Sequence, residues 1–263
     1  MGRIIVFTSG KGGVGKTTVC ANLGYALAIM GKRVLMMDGD FGLNNLDVIM
    51  GVENKCVYDI VDVIHDHCRP RQALIQDFFQ ENLYILPSNH TFLAENLDYG
   101  KIRSIISEFA KTFDFVLLDC PAGIEESFYR VVSCADEAVV VTTPHLSALR
   151  DGDKVISILN SLGLNPKLIL NRVRGDMQLD GEMLDVKTIS EYLNISVLGV
   201  LPDDDCVVKQ LNISGVLPSN SDIYKAFNIV ADNIINDKNN TFDCTKKYKG
   251  LLGNIKKSLR KVL

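Results

Sequence analysis

Arg3-Ile4-Ile5-Val6-Phe7-Thr8, followed by Gly10-Lys11-Gly12-Gly13-Val14-Gly15-Lys16-Thr17-Thr18, decides how this chain folds. An apolar run enters a glycine-rich turn that contains G-x-x-x-x-G-K-[ST], and the stretch Thr17 to Met30 then reads as a helix stopped by Gly31. Strand, loop and helix in that order are the context a phosphate-binding loop requires. Glycines let the backbone take conformations closed to residues with a Cβ, so that successive N–H groups turn inward on a string of phosphates. Lys16 adds charge, the Thr17 hydroxyl suits Mg²⁺, and the helix points its positive N-terminal end at the same place. The implied ligand is a nucleotide; a plain flexible glycine turn is the bland alternative.

Working outward, apolar runs recur at Arg33 to Asp38, Asn82 to Leu86, Asp114 to Asp119, Glu137 to Thr143, Pro166 to Leu170 and Ser196 to Leu201, with helical stretches between them. They are apolar almost throughout instead of alternating, which is how strands covered on both faces read. The predicted fold is α/β: a mainly parallel, twisted sheet flanked by helices, of the P-loop NTPase type, with right-handed crossovers and a C-terminal amphipathic helix. Residues 1–236 are expected to form the ATPase domain, 237–249 a flexible linker and 250–263 a membrane-targeting helix.

The chain of 263 residues, 47% hydrophobic and 23% charged, suits one sizeable core. No apolar run reaches the 18 residues that span a bilayer and no signal-peptide pattern opens the chain, so a cytoplasmic protein is expected. Seven scattered cysteines without a C-x-x-C pair indicate neither a disulfide framework nor a zinc site. The net charge of −4 hides an asymmetry: seven of the 28 basic residues follow Asp243, leaving a body of about −11 and a tail of about +7.

In such sheets ligands bind beyond the carboxyl ends of the strands. Val34-Leu35-Met36-Met37 runs into Asp38-Gly39-Asp40, and Phe115-Val116-Leu117-Leu118 into Asp119-Cys120-Pro121-Ala122-Gly123. Carboxylates there suit Mg²⁺, directly or through water, with Asp119 the first choice; helix capping is the competing reading for Asp38 and Asp119. The Gly123 N–H is placed to meet a γ-phosphate. Asn171 and Arg172 end one strand and Pro202 and Asp203 another, where they would flank a base. Without an [NT]-K-x-D signature the site favours ATP, although Asn171 also reads as a solvated loop residue.

The whole loop resembles the deviant Walker A loop, K-G-G-x-G-K-[ST], and Asp40-Phe41-Gly42-Leu43-Asn44-Asn45-Leu46-Asp47 resembles the first switch segment of the MinD/ParA ATPases. Further stretches carry the likeness toward the septum-site-determining branch of that family, among them Val57-Tyr58-Asp59, Asp119-Cys120-Pro121-Ala122-Gly123-Ile124-Glu125 and Arg150-Asp151-Gly152-Asp153. The resemblance implies that Lys11 reaches across an ATP-bound homodimer to the partner's phosphates, that Asp40 orients the attacking water and helps hold Mg²⁺, and that hydrolysis is slow until a partner stimulates it. It also implies a MinC-like division inhibitor bound through Asn45, Arg150, Asp151 and Asp153, release by a MinE-like or other polarity partner, and residence on the inner face of the cell membrane. Lys11 as a solvated lysine, and Arg150 to Asp153 as an ordinary charged helix start, are the alternatives.

ParA-type and flagellar-number ATPases share the loop and both aspartates, and a nonhydrolytic ATP-gated membrane scaffold is the alternative from another class. ParA proteins need a basic body for DNA, whereas this body is acidic, so no nucleic-acid partner is expected. Flagellar-number ATPases usually carry an amino-terminal glutamine-rich helix, while here a strand begins at Arg3. The tail can be read without any family. At about 100° per residue, Leu251, Leu252, Ile255, Leu259, Val262 and Leu263 share an arc of roughly 120°, with Lys256 and Arg260 outside it. That pattern predicts a helix lying on an anionic membrane surface; packing on the body's own core, or nucleic-acid binding, are its alternatives.

Overall fold

The run Arg3–Thr8 forms β1 near the middle of an eight-stranded sheet. The remaining strands are β2 (Val34–Asp38), β3 (Ile75–Gln76), β4 (Leu83–Leu86), β5 (Phe115–Asp119), β6 (Glu137–Thr142), β7 (Lys167–Val173) and β8 (Val197–Pro202). This computed structural model describes residues 1–40, 45–88, 98–213, 217–250, 253 and 256–257, without the side chains of 210–213. Within them the strand order is β3-β4-β2-β5-β1-β6-β7-β8, and only the β3–β4 pair is antiparallel. The predicted parallel α/β sheet is the fold observed. β3 was not anticipated: two residues on an edge carry too little pattern to read.

Because successive strand residues face opposite sides, β1 splits its apolar run between two cores. Ile4 and Val6 join Leu35, Met37, Val116 and Leu118 on one side. The helices covering them are α3 (Ile60–Ile64), α4 (Tyr99–Phe109), α5 (Glu126–Val132), α6 (Leu146–Ser161) and α8 (Val186–Leu193). Ile5 and Phe7 join Val34, Met36, Phe115 and Leu117 on the other, under α1 (Lys16–Ile29), α2 (Asn45–Met50) and α10 (Asp222–Asn236). Burial on both faces is the reason the strands lack polar alternation. Two more helices, α7 (Gly175–Leu179) and α9 (Asp205–Ile213), lie at the ends of β7 and β8.

The end of the chain departs from expectation. Residues 237–249 read as a flexible linker, yet Cys244 and Tyr248 are each only 4% exposed. A Cβ on Gly175 would come within 1.9 Å of the Cys244 carbonyl oxygen, so the segment lies against α7 at a spacing only glycine allows. Asn233, wholly buried in α10, fastens its start: Nδ2 donates to the Leu198 carbonyl (2.8 Å) and to the Asn240 carbonyl (2.7 Å), and Oδ1 accepts from the Asn240 N–H (3.1 Å). Of the expected membrane residues Lys256 is exposed; Leu251, Leu252, Ile255, Leu259, Arg260, Val262 and Leu263 lie outside the described residues, as do Phe41 to Asn44.

Candidate nucleotide site

β1 has β5 on one side and β6 on the other, so the chain reverses its direction of winding where the glycine loop leaves β1, the place where open α/β sheets bind ligands. Gly13 (φ 81°) and Gly15 (φ 89°) adopt left-handed conformations, and Gly15 caps α1. A Cβ on Gly10 would lie 2.1 Å from the Asp151 carbonyl oxygen, so the loop rests directly on the first turns of α6. Lys11, Gly12 and Gly13 are exposed and Lys16 is buried, an arrangement that leaves Lys11 free to reach outward.

The two strand-terminal aspartates meet. β2 and β5 pair in parallel with Asp38 opposite Asp119, and both carboxylates are buried. The Lys16 Nζ donates to Asp119 Oδ1 at 2.5 Å and approaches the Thr17 hydroxyl at 3.4 Å. Asp38 accepts from the Asp40 N–H through Oδ1 (2.9 Å) and from the Leu46 N–H through Oδ2 (3.0 Å), so it also satisfies the first turn of α2. That is part of the capping duty considered for it. Burial, reinforced by the Asp119 charge, pushes Asp38 up to about 7. Burial raises Asp119 as well, outweighing its bond to Lys16. Desolvation works against the Lys16 charge, but the Asp119 carboxylate more than offsets it and the ammonium is held protonated. Asp40, half-buried, is raised by its burial.

Two buried carboxylates against one lysine leave an excess of negative oxygen ligands beside a threonine hydroxyl. That donor set fits Mg²⁺, which takes one or two carboxylates and completes its octahedron with water and phosphate oxygens. Among the described residues no group of three or more His, Cys, Asp or Glu forms a metal cage, and Mg²⁺ bound in this way needs none. Gly123 has φ 91° and donates its N–H to the Ser9 carbonyl at 3.0 Å, which ties the β5 loop to the glycine loop; that N–H is engaged within the protein and not turned outward.

The base-side residues also converge. Asn171, Arg172, Pro202 and Asp203 line a cavity of about 220 Å³ with Gly15 and Thr18. Asn171 Nδ2 donates to the Val14 carbonyl (2.8 Å) and Oδ1 accepts from the Arg172 N–H (2.9 Å), so the amide is fixed against the loop instead of solvated. Arg172 holds φ 56° where β7 bulges against β8, a strained conformation for a non-glycine residue. Asp204, Val207, Ile223 and Phe227 are among the other wall residues. They carry no motif; α9, which follows β8, and α10, which packs on β8, bring them there. Asn45, Arg150 and Asp153 are exposed and Asp151 is half-buried, 3.5 Å from Lys154.

Comparison with known proteins settles the family. A model described as "AAA domain" matches residues 2–170. The septum site-determining protein MinD of Bacillus subtilis (strain 168) is 47% identical over 215 residues, 81% of this chain and 80% of that protein. The chain belongs to the MinD family. Its structure resembles MinD in the MinC:MinD cell division protein complex of Aquifex aeolicus, with TM-score 0.84, 38% identity, and coverage of 90% of this chain and 96% of that one. It also resembles MinD complexed with Mg-ADP from Pyrococcus horikoshii, with TM-score 0.80, 31% identity, and coverage of 89% and 96%. Membership in the MinD family makes the chain a P-loop ATPase of the MinD/ParA type. Among the described residues no helix is long and apolar enough to cross a membrane.

Proposed function

We propose that this chain is an ATP-dependent, dimerising ATPase that places the division septum by recruiting a MinC-type inhibitor to the inner membrane surface and leaves when hydrolysis is stimulated. The observation that carries the reading is the overlap of nearly the whole fold with MinD in a MinC:MinD complex, together with a loop and two in-register aspartates arranged for Mg-nucleotide. ATP lies along residues 10–18 with its base between Asn171, Arg172, Pro202 and Asp203, and Lys16 leaves Asp119 to meet the phosphates. Thr17, Asp38, Asp40 and Asp119 supply the oxygen ligands of Mg²⁺, which neutralises phosphate charge.

Lys11, exposed on the loop, supplies a cation in trans, and this makes dimerisation depend on the γ-phosphate. No lone carboxylate is a strong base, so Asp40 orients water and turnover alone is slow. Because Gly10 touches the Asp151 backbone, the state of the loop is transmitted to the Arg150–Asp153 patch, the proposed inhibitor surface. The tail gives marginal membrane affinity singly and firm residence in pairs, since the second insertion is intramolecular. Asp40→Ala tests the scheme: with ATP it is expected to stay dimeric and vesicle-bound and to retain the MinC-type partner while hydrolysis stops. Wild-type hydrolysis in that variant removes Asp40 from the mechanism.

A further inference from the structure

At the opposite end of the sheet from the nucleotide site lies a cavity of about 390 Å³ lined by Arg33, Arg71, Leu74, Tyr84, Phe109, Thr112 and Phe113. Arg33 immediately precedes β2, whose five residues end at Asp38, so at about 3.3 Å per residue the cavity sits roughly 17 Å from the metal-binding aspartates. It shares no residue with the phosphate loop or the base cavity.

Its walls are aromatic. Phe113 meets Tyr84 edge-on (centroids 5.4 Å, planes 72° apart) and Phe109 likewise (6.1 Å, 72°), and the Arg33 guanidinium stands 5.3 Å from the Phe113 centroid. Its rim is cationic. Among the described residues neither the Arg33 nor the Arg71 guanidinium has a carboxylate within 4.0 Å. Glu108 pairs with Lys111 at 2.5 Å, and the Asp114 carboxylate accepts the Arg33 backbone N–H at 2.8 Å without reaching the guanidinium. Two guanidinium groups with no carboxylate partner among the described residues therefore stand at one aromatic cavity, on a body of about −11.

We propose that this cavity is a second small-molecule site, taking a planar aromatic ring that bears a carboxylate or comparable anionic group. Cavities of this size, apolar or aromatic inside with a few converging polar groups, are the usual form of small-molecule sites. A flat ring packs edge-to-face or offset against Phe113 and Tyr84, and guanidinium planes both stack on rings and grip carboxylates two-handed. Charge alone leaves the aromatic walls uncovered, and a neutral ring leaves both arginines unanswered, so the two features together define the ligand.

The probe is 2-naphthoate, titrated calorimetrically into full-length protein saturated with Mg-ADP, so that the phosphate loop is already filled. Acetate supplies the charge without the ring, and 2-naphthol the ring without the charge. Naphthoate is expected to bind at least about tenfold more tightly than either control, and Arg33→Gln or Arg71→Gln to weaken it by about tenfold each, the usual scale for a charge-assisted contact. Thr112→Trp fills the cavity while keeping both arginines and is expected to abolish binding; thermal melting checks that each variant is folded, and ATP hydrolysis is expected to be unchanged in all three. Naphthoate binding no tighter than acetate or naphthol overturns the proposal, as does unchanged affinity in folded variants, or release of ADP during the titration.

Discussion

Asp38→Asn separates what the aspartate pair costs the fold from what it gives the site. Asp38 rises from 3.8 to about 7 on folding, so between those values the folded chain holds a proton that the unfolded chain has lost. Stability therefore falls as pH rises through this window, by about 1.4 kcal/mol per unit, and stays low above it. At pH 8 the accumulated cost is on the order of 4 kcal/mol, shared with Asp119 because the two carboxylates titrate as a pair. Asparagine carries no charge but cannot accept the Leu46 N–H through its amide nitrogen, a loss of about 1–1.5 kcal/mol. The variant is thus expected to be less stable than wild type at pH 4, about equal near pH 5, and more stable by roughly 2–3 kcal/mol at pH 8. Urea unfolding at unit steps from pH 4 to 8, without nucleotide and with chelator, measures this. Parallel stability curves for the two proteins would refute the reasoning, because the variant must lose the slope and not merely shift it. With Mg-ADP present the order at pH 8 is expected to reverse, since a nucleotide and metal that bind only the folded wild type add stability by mass action.

Lys16→Ala leaves Asp119 buried without its 2.5 Å partner and is expected to cost about 3–5 kcal/mol at pH 8 as well as nucleotide binding; adding Asp119→Asn is expected to restore the melting temperature but not the binding. Lys11→Ala, at an exposed position, is expected to melt like wild type yet stay monomeric in ATP and Mg²⁺ by sedimentation velocity, and equal dimerisation would end its role in trans. A chain ending at Lys249 is expected to keep ATP binding and lose co-sedimentation with anionic vesicles; if it still sediments with them, the tail is not the anchor.

Much of the sheet was legible because burial on both faces forces unbroken apolar runs, and six of the seven runs read from the sequence end within a residue of the observed strands. The seventh, Pro166 to Leu170, falls short, since β7 continues to Val173 through a bulge that puts Arg172 into a left-handed conformation. No propensity marks such a bulge; it arises from how β7 registers on β8. The same limit applies at the site. Asp38 and Asp119 were each visible as the polar end of an apolar run, but that they face one another depends on strand register across 81 positions of chain, and with it the ion pair to Lys16 and the shifted titration.

The linker shows the converse error. Residues 237–249 hold Asp, Lys, Asn and Thr in a composition that reads as solvated chain, and only Phe242, Cys244 and Tyr248 are apolar or amphipathic. What pins the segment is not its own hydrophobicity but hydrogen-bonding groups and space that the body provides: the fully buried Asn233 amide, which donates to the Asn240 carbonyl and accepts from the Asn240 N–H, and the missing side chain of Gly175. Both lie outside the segment, in α10 and α7. This placement bears on the membrane role proposed for the tail. Contacts with the body continue past Tyr248: Gly253 is buried against the Tyr248 backbone, and the Lys257 ammonium meets the Asp180 carboxylate. In the proposed membrane role these contacts have to release before the tail inserts, and a shorter tether between the two tails of a dimer is then expected to raise the effective concentration of the second insertion.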